Sequence, residues 1–235
     1  MAKTLNKSEI EALRAIDTPT ICNLLEMVAP DRRGVGYTTR QLNCVFPELK
    51  PMCGYARTAL VRAKEPGPLP PDKYLKLRLK YVDYVGSGPS PKVSVVQDLD
   101  DPPGYGSFWG EVNSNVHKAL GCQGTVTNGS VRDLDMIAED FQLLSGVIAP
   151  SHAFIHLVDF DCPVNIHGML VHSGDLVHAD RHGAVVIPHD VARDVPKALD
   201  LMQRREAVVI GAARDSKFSV AKLKKAYADS AKIKK

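Results

Sequence analysis

Apolar side chains recur every three or four residues in six parts of the chain, and this is the spacing of one helix face. The first predicted helix has Ser8 as its N-cap with Glu11 as the capping-box partner, and the second has Pro19 in its first turn. The six predicted helices cover residues 8–16, 17–30, 72–85, 107–121, 131–140 and the chain from Asp190 to its end.

Short β-rich segments fill the intervals between these helices. They predict strands over residues 54–63, 92–97, 124–127, 143–148, 154–158, 164–166, 169–171, 175–179 and 184–188. Strands that alternate with helices indicate an α/β protein, here with helices at both ends. A chain of 235 residues is expected to form one domain, over residues 1–215, followed by a basic helical tail over residues 216–235.

Composition narrows the class of protein. The net charge of +3 is too small to predict a nucleic-acid partner. No run of 18 apolar residues occurs, so we expect no membrane span, and the first ten residues lack the apolar core of a signal peptide. The five cysteines form no C-x-x-C pair, which favours reduced thiols and predicts a cytoplasmic protein without a disulfide framework or a cysteine zinc site.

Candidate chemistry lies in residues 106–135, where two helices are predicted to begin close together. Glu111 would occupy the first turn of one helix beside Gly110, whose free N–H would suit an anion. Ser130 and Asp133 would form a capping box in the next, which explains both without a function. Arg132 is not explained in this way, because a cation in a first turn opposes the helix dipole.

The same stretch carries a resemblance to a known family. Trp109-Gly-Glu-Val and the later series Gly124-x-x-x-x-Gly129-x-x-Arg132-Asp133 resemble the class II pyruvate aldolase family. That family includes 4-hydroxy-4-methyl-2-oxoglutarate / 4-carboxy-4-hydroxy-2-oxoadipate aldolase and the regulator of ribonuclease activity A. The segments 54–58, 164–180 and 183–188 fit the same pattern, so the resemblance covers about residues 15–215.

The resemblance implies a swivelling β/β/α sandwich that assembles as a homotrimer or homohexamer with the site at a subunit interface. It implies that Asp133 binds Mg²⁺ or Mn²⁺ as the direct protein ligand and that Arg132 holds the carboxylate and the enolate of a small 2-oxo acid. Gly110, Val112 and Asn113 would bind the pyruvyl end, and Glu111 would position a proton-shuttling water. The implied activity is a metal-dependent lyase that cleaves a 4-hydroxy-2-oxo acid to pyruvate and a second oxo acid, with oxaloacetate decarboxylation through the same enolate.

Several points depart from the family or stay open. Asn113 stands where family members commonly carry an apolar residue, and the acidic loop 98–103 has no assigned role. Glu206 is the candidate for a carboxylate supplied by a neighbouring subunit, with a surface glutamate as the simpler interpretation. His152 or His156 would be placed to contact a second substrate carboxylate, and a histidine metal site is not favoured. The alternative functions are a non-catalytic regulator acting by protein contacts and RNA binding through the basic tail.

Overall fold

This computed structural model describes residues 4–234 of the chain, which contain six α-helices and thirteen strands. The helices are α1 (Lys7–Arg14), α2 (Thr18–Val28), α3 (Pro71–Gly86), α4 (Glu111–Ala119), α5 (Leu199–Arg214) and α6 (Val220–Lys232). The strands are β1 (Asn43–Cys44), β2 (Met52–Arg62), β3 (Lys92–Asp98), β4 (Ser107–Trp109), β5 (Cys122–Thr127), β6 (Ser130–Val131), β7 (Gln142–Ser145), β8 (Val147–Ile148), β9 (His156–Phe160), β10 (Val164–Ile166), β11 (Met169–Val171), β12 (Leu176–Asp180) and β13 (Gly183–Ile187).

The main sheet has the order β1-β7-β5-β3-β2-β12-β13, with β9 pairing the second half of β2. Its four inner strands β2, β3, β5 and β7 run parallel. Parallel neighbours need a crossover, and α3 supplies it between β2 and β3 while α4 precedes β5. The α/β class predicted from the sequence is therefore confirmed.

A second, smaller sheet extends the main one. Its three strands β4, β6 and β8 are parallel and follow β3, β5 and β7 along the chain. The segments that leave β4, β6 and β8 therefore start at the same edge of this sheet.

Successive side chains of the buried strand β3 point to opposite faces of the sheet and enter two different apolar clusters. Val93 and Val95 pack against the β10–β11 hairpin in one apolar cluster, and Val96 faces the opposite cluster, which contains Tyr81 and Val85 of α3. A third cluster joins α1, α2 and the region of α5 to β12 and β13. The resulting hairpin, sheet and helix layers match the expected β/β/α sandwich.

Four predicted helix starts are wrong. The helix predicted from Asp190 begins only at Leu199, after turns and the 3-10 turn Pro196–Ala198, and the chain from there to Lys232 forms two helices. Helix α1 is capped by Asn6, whose side chain forms a capping box with Glu9, so Ser8 lies inside the helix. Residues 107–109 pair with β6 as a strand, and α4 begins only at Glu111. No α-helix follows Ser130, since β6 is followed by Asp133 in the left-handed region and by a single 3-10 turn, Leu134–Met136.

The C-terminal helices pair with each other. Ser230 of α6 donates a hydrogen bond to the Arg205 carbonyl of α5, and the Arg205 side chain donates to the Ile233 carbonyl. The proposed boundary between residues 215 and 216 stays a prediction, and Lys235 of the tail and residues 1–3 of the domain lie outside the described residues. None of the helices within residues 4–234 combines the length and hydropathy that crossing a bilayer requires.

Candidate functional site

Three turns meet at the carboxyl ends of β4, β6 and β8. Gly110 follows β4, the pair Arg132-Asp133 follows β6, and Pro150 follows β8 by two residues. Ligands commonly bind beyond the carboxyl ends of parallel strands, where loops from neighbouring strands converge. The small sheet thus brings together residues that are 40 positions apart in sequence.

Backbone and side-chain contacts hold Arg132 and Asp133 in place. The Arg132 N–H donates to the Trp109 carbonyl at 3.0 Å, and its guanidinium lies 3.4 Å from both the Asp133 carboxylate and the Pro150 carbonyl. Asp133 has φ 52°, a conformation that is uncommon for a residue with a side chain and directs its carboxylate back toward Gly110. Ser130, predicted as a cap, instead hydrogen-bonds the Ser107 hydroxyl across the strands at 2.9 Å.

The turn at Gly110 starts α4 and leaves backbone donors free. Gly110 is the N-cap and has no side chain to cap the helix, while the Glu111 N–H lies 3.4 Å from Oδ2 of Asp133. Within residues 4–234 the N–H groups of Val112 and Asn113 have no hydrogen-bond acceptor. Free N–H groups in a first helical turn bind anions. The Asn113 side chain donates to the Phe108 carbonyl, so it braces the turn instead of packing an apolar group.

A cavity of about 200 Å³ joins these groups. All six residues predicted for the site line it: Gly110, Glu111, Val112, Asn113, Arg132 and Asp133. The volume lies below the roughly 300–1,000 Å³ of drug-sized ligand pockets, which suits a small acid. The cavity is also lined by His152, which the sequence placed near a substrate carboxylate, and by Arg78, which the sequence did not assign to the site.

Arg78 lines the cavity from α3, and its side chain is exposed to solvent. Tyr74 and Tyr81 lie four residues before it and three residues after it, which places all three on one side of the helix. Tyr81 is buried, whereas Lys76 and Lys80 point to solvent. Arg78 is exposed like Lys76 and Lys80, and its spacing from Tyr74 and Tyr81 is the sequence signal that distinguishes it from those lysines.

A buried aromatic cluster supports α3 and α4 under the cavity. The Tyr81 hydroxyl lies 2.9 Å from Nε2 of His117, and the His117 ring packs edge-on against Trp109 with 4.6 Å between centroids. Burial lowers the pKa of His117 to about 4, and the positive charge of Arg78 acts in the same direction. Nδ1 of the neutral ring donates to the Asn113 carbonyl at 2.7 Å, so Nε2 accepts from Tyr81.

The donor set fits one kind of metal ion. Within residues 4–234 no group of three or more His, Cys, Asp or Glu side chains could hold an ion by itself. Oδ2 of Asp133 faces Arg132 and Glu111, whereas Oδ1 has no hydrogen-bond partner among these residues. A single carboxylate oxygen fits Mg²⁺ or Mn²⁺, ions that keep several waters, but does not fit a four-ligand zinc site.

Other candidate residues lie away from the cavity. Asp98 and Asp100 of the acidic loop are buried and accept hydrogen bonds from N–H groups of loop residues, including those of Gly104 and Ala63. They shape the loop before β4 instead of lining the site. Glu206 is exposed on α5 and does not line the cavity of its own chain. His178 is buried against Thr18, with its Nδ1 3.0 Å from the hydroxyl oxygen.

The layered fold is shared with solved structures. A crystal structure of an uncharacterized protein from Pseudomonas syringae pv. tomato matches with a TM-score of 0.71 and 21% identity, over 97% of each chain. RraAS2 from Streptomyces coelicolor, described as an unusual member of the RNase ES inhibitor RraA protein family, matches with a TM-score of 0.66 and 21% identity, over 87% of this chain and 96% of that one. At 21% sequence identity, these two matches establish a shared fold and nothing further.

Fold and site together define an α/β sandwich with a small cavity at the ends of three parallel strands. A family model described as RraA-like, Aldolase/RraA, matches residues 18–186, and the chain belongs to this family. This confirms the resemblance found in the sequence. Protein DlpA from Legionella pneumophila is 27% identical over 118 residues, which are 49% of this chain and only 18% of that protein.

Proposed function

We propose that the protein is a divalent-metal-dependent lyase that cleaves a 4-hydroxy-2-oxo acid to pyruvate and a second oxo acid. The observation that carries this proposal is the placement of the Asp133 carboxylate, the Arg132 guanidinium and the free N–H groups of α4 around one small cavity. A carboxylate for the metal, a planar cation and a backbone anion site are the groups that a 2-oxo acid requires.

The residues around the cavity would each bind a different part of the metal and substrate. Asp133 would hold Mg²⁺ or Mn²⁺, which as a Lewis acid stabilises negative charge on the 2-oxo oxygen. Arg132 would bind the substrate carboxylate and the enolate that forms from it, because its donors form a planar fork. The N–H groups at Val112 and Asn113 would bind the same carboxylate from the other side.

Glu111 would position the water molecule that takes up the proton of the 4-hydroxyl group. Its carboxylate is exposed and makes no hydrogen bond or ion pair within residues 4–234, so it is available to hold a water molecule. That water would take the proton of the 4-hydroxyl as the C3–C4 bond breaks and the bonding electrons pass into the enolate. Return of the proton to C3 would give pyruvate, and the former C4 would leave as a carbonyl. Oxaloacetate decarboxylation would form the same enolate by loss of CO₂.

The proposed assembly is a homotrimer or homohexamer with the cavity at a subunit interface. Val112, Met136 and Ile148 are 69%, 56% and 54% exposed, and they belong to the three segments that form the site. Exposed apolar side chains near a site indicate a surface that another molecule covers. A neighbouring copy would then be the source of a further carboxylate such as Glu206. Light scattering on the purified chain tests the assembly, and a monomer would contradict it.

The activity is tested by pyruvate release from oxaloacetate and from 4-hydroxy-2-oxo diacids, with Mg²⁺ or Mn²⁺ and with EDTA, after subtraction of the metal-only rate. We expect Asp133→Asn to lower the rate by at least about 100-fold, the scale of losing one charge-stabilising group in a site. The matched control Asp135→Asn, two residues away and exposed, should change it by less than about twofold. Metal-independent pyruvate release, or equal rates in the two variants, would reject the lyase proposal.

The alternative proposal is a regulator that acts through protein contacts, and it is supported by the family's RraA members. Asp133→Asn separates the two functions, because a contact surface elsewhere on the molecule should tolerate it. A wild-type protein without turnover whose partner binding survives this substitution would favour the regulator.

A further inference from the structure

Arg78 brings an uncompensated positive charge to the cavity. Its guanidinium forms no ion pair or hydrogen bond among residues 4–234, in contrast to Arg132, which lies 3.4 Å from the Asp133 carboxylate. A cation that lines a cavity and lacks a protein partner is available for an anionic group of a ligand.

The cavity continues beyond Arg78. A second cavity of about 580 Å³ shares Arg78, His152 and Ile155 with the first, and its other walls include Tyr74, Phe154 and His156. Arg78 and His152 therefore stand at the junction of the two spaces. A ligand bound by its 2-oxo carboxylate at Arg132 and extending toward the second cavity would pass close to both side chains.

We propose that Arg78, with His152 beside it, binds the second carboxylate of an oxo diacid whose 2-oxo carboxylate end lies at Arg132 and Asp133. This inference rests on the proposed function for the placement of the 2-oxo end. The guanidinium offers a planar pair of donors to a carboxylate, and the imidazole of His152 has an N–H donor in either charge state. The subsite thus selects diacids over monoacids of the same length.

Charge balance supports the same substrate class. The cavity holds two guanidinium groups and two carboxylates, those of Arg78, Arg132, Glu111 and Asp133, which balance one another. A bound divalent cation would leave an excess of two positive charges, and a dianion neutralises this excess whereas a monoanion leaves half of it.

The test is calorimetric binding of two probes to the purified full chain in Mg²⁺: 2-oxoglutarate, and 2-oxopentanoate, which has the same chain length but lacks the second carboxylate. Arg78→Gln should weaken 2-oxoglutarate about tenfold to 100-fold, the scale of a lost charge-assisted hydrogen bond, and leave 2-oxopentanoate within about twofold. Arg78→Lys keeps the charge without the fork and should give an intermediate loss for 2-oxoglutarate alone.

Lys80→Gln is the matched control, since it removes a positive charge from the same helix at an exposed position outside both cavities. Circular dichroism confirms that each variant is folded. Equal losses for the two probes, no loss in Arg78→Gln, or the same loss in Lys80→Gln would each overturn the subsite.

The outcomes also separate the subsite from the lyase proposal. Metal-dependent binding of both probes without an Arg78-dependent preference leaves the lyase intact and rejects the subsite. An Arg78-dependent preference without pyruvate release from any diacid supports the subsite and rejects the reaction. If the wild-type chain binds neither probe, the subsite is rejected, and pyruvate release decides the lyase proposal separately.

Discussion

A Cβ atom on Gly110 would lie 2.5 Å from Oδ2 of Asp133 and 3.3 Å from Cγ of Arg132. Gly110 has φ −174°, an extended conformation open to any residue, so the requirement for glycine comes from this close approach. The turn after β4 and the turn after β6 are thereby packed directly against each other. The position of the proposed metal ligand depends on the missing side chain of a residue 23 positions earlier.

Gly110→Ala is therefore expected to displace the Asp133 carboxylate while the fold persists. We expect lyase turnover to fall by at least about tenfold and Mn²⁺ affinity to fall with it, as for changes that misplace metal-site groups. Electron paramagnetic resonance of bound Mn²⁺ and pyruvate release measure the two effects. Gly211→Ala is the control, since a Cβ there meets nothing within 4 Å. Unchanged Mn²⁺ affinity in Gly110→Ala would show that Asp133 is not the ligand.

Arg132→Lys tests the planar fork separately from the charge. Lysine keeps a cation at this position but cannot offer two parallel donors to a carboxylate. We expect turnover to fall about 100-fold to 1,000-fold, as for the loss of a transition-state donor, with Mn²⁺ binding retained. Steady-state kinetics measure the change, with Arg214→Lys on the exposed end of α5 as the control. Full activity in Arg132→Lys would mean that only its charge matters.

The periodicity of the sequence predicted most element types but not that of residues 131–140, and it predicted element starts poorly. Asp17 and Pro19 placed the start of α2 correctly, because a cap and a proline at the first turn act locally. Ser107 and Ser130 also resemble caps, but their hydroxyl groups bond to each other across two short strands. That pairing joins residues 23 positions apart, so no local pattern contains it.

Part of the sequence evidence for the site has a different structural explanation. Arg132 was predicted to be a cation in a first helical turn, but it lies in a loop after β6, where no helix dipole opposes it. The family resemblance predicted one site from Gly110, Glu111, Arg132 and Asp133, and all four residues line one cavity. The spacing of Arg78 from Tyr74 and Tyr81 places it beside the packed side of α3, but the sequence does not show that this side packs next to α4 and the cavity.

The stability of the protein should fall in mild acid because of two buried histidines. Burial lowers the pKa values of His117 and His178 to about 4, below the value of 6.5 expected in the unfolded chain. The unfolded state therefore binds more protons between about pH 6.5 and 4, so stability is fully present above this window and is lost as the pH falls through it. Each histidine contributes a slope of up to about 1.4 kcal/mol per pH unit.

Urea unfolding at several pH values in this window measures that slope. His178→Gln should reduce the slope by about one proton's share, whatever its effect on overall stability, because glutamine does not titrate. A wild-type protein equally stable at both ends of the window would contradict the assignment of neutral buried rings.

Tyr81→Phe tests whether the packing of α3 against α4 positions Arg78. The substitution removes the hydroxyl that donates to Nε2 of His117 and leaves a buried acceptor without a partner, at a cost of about 1–3 kcal/mol in unfolding free energy. The exposed Tyr227→Phe should be neutral in the same urea titration. If α3 is positioned by this bond, Tyr81→Phe also weakens binding of 2-oxoglutarate more than that of 2-oxopentanoate. A loss of stability with unchanged preference for the diacid would show that Arg78 is placed by its other neighbours.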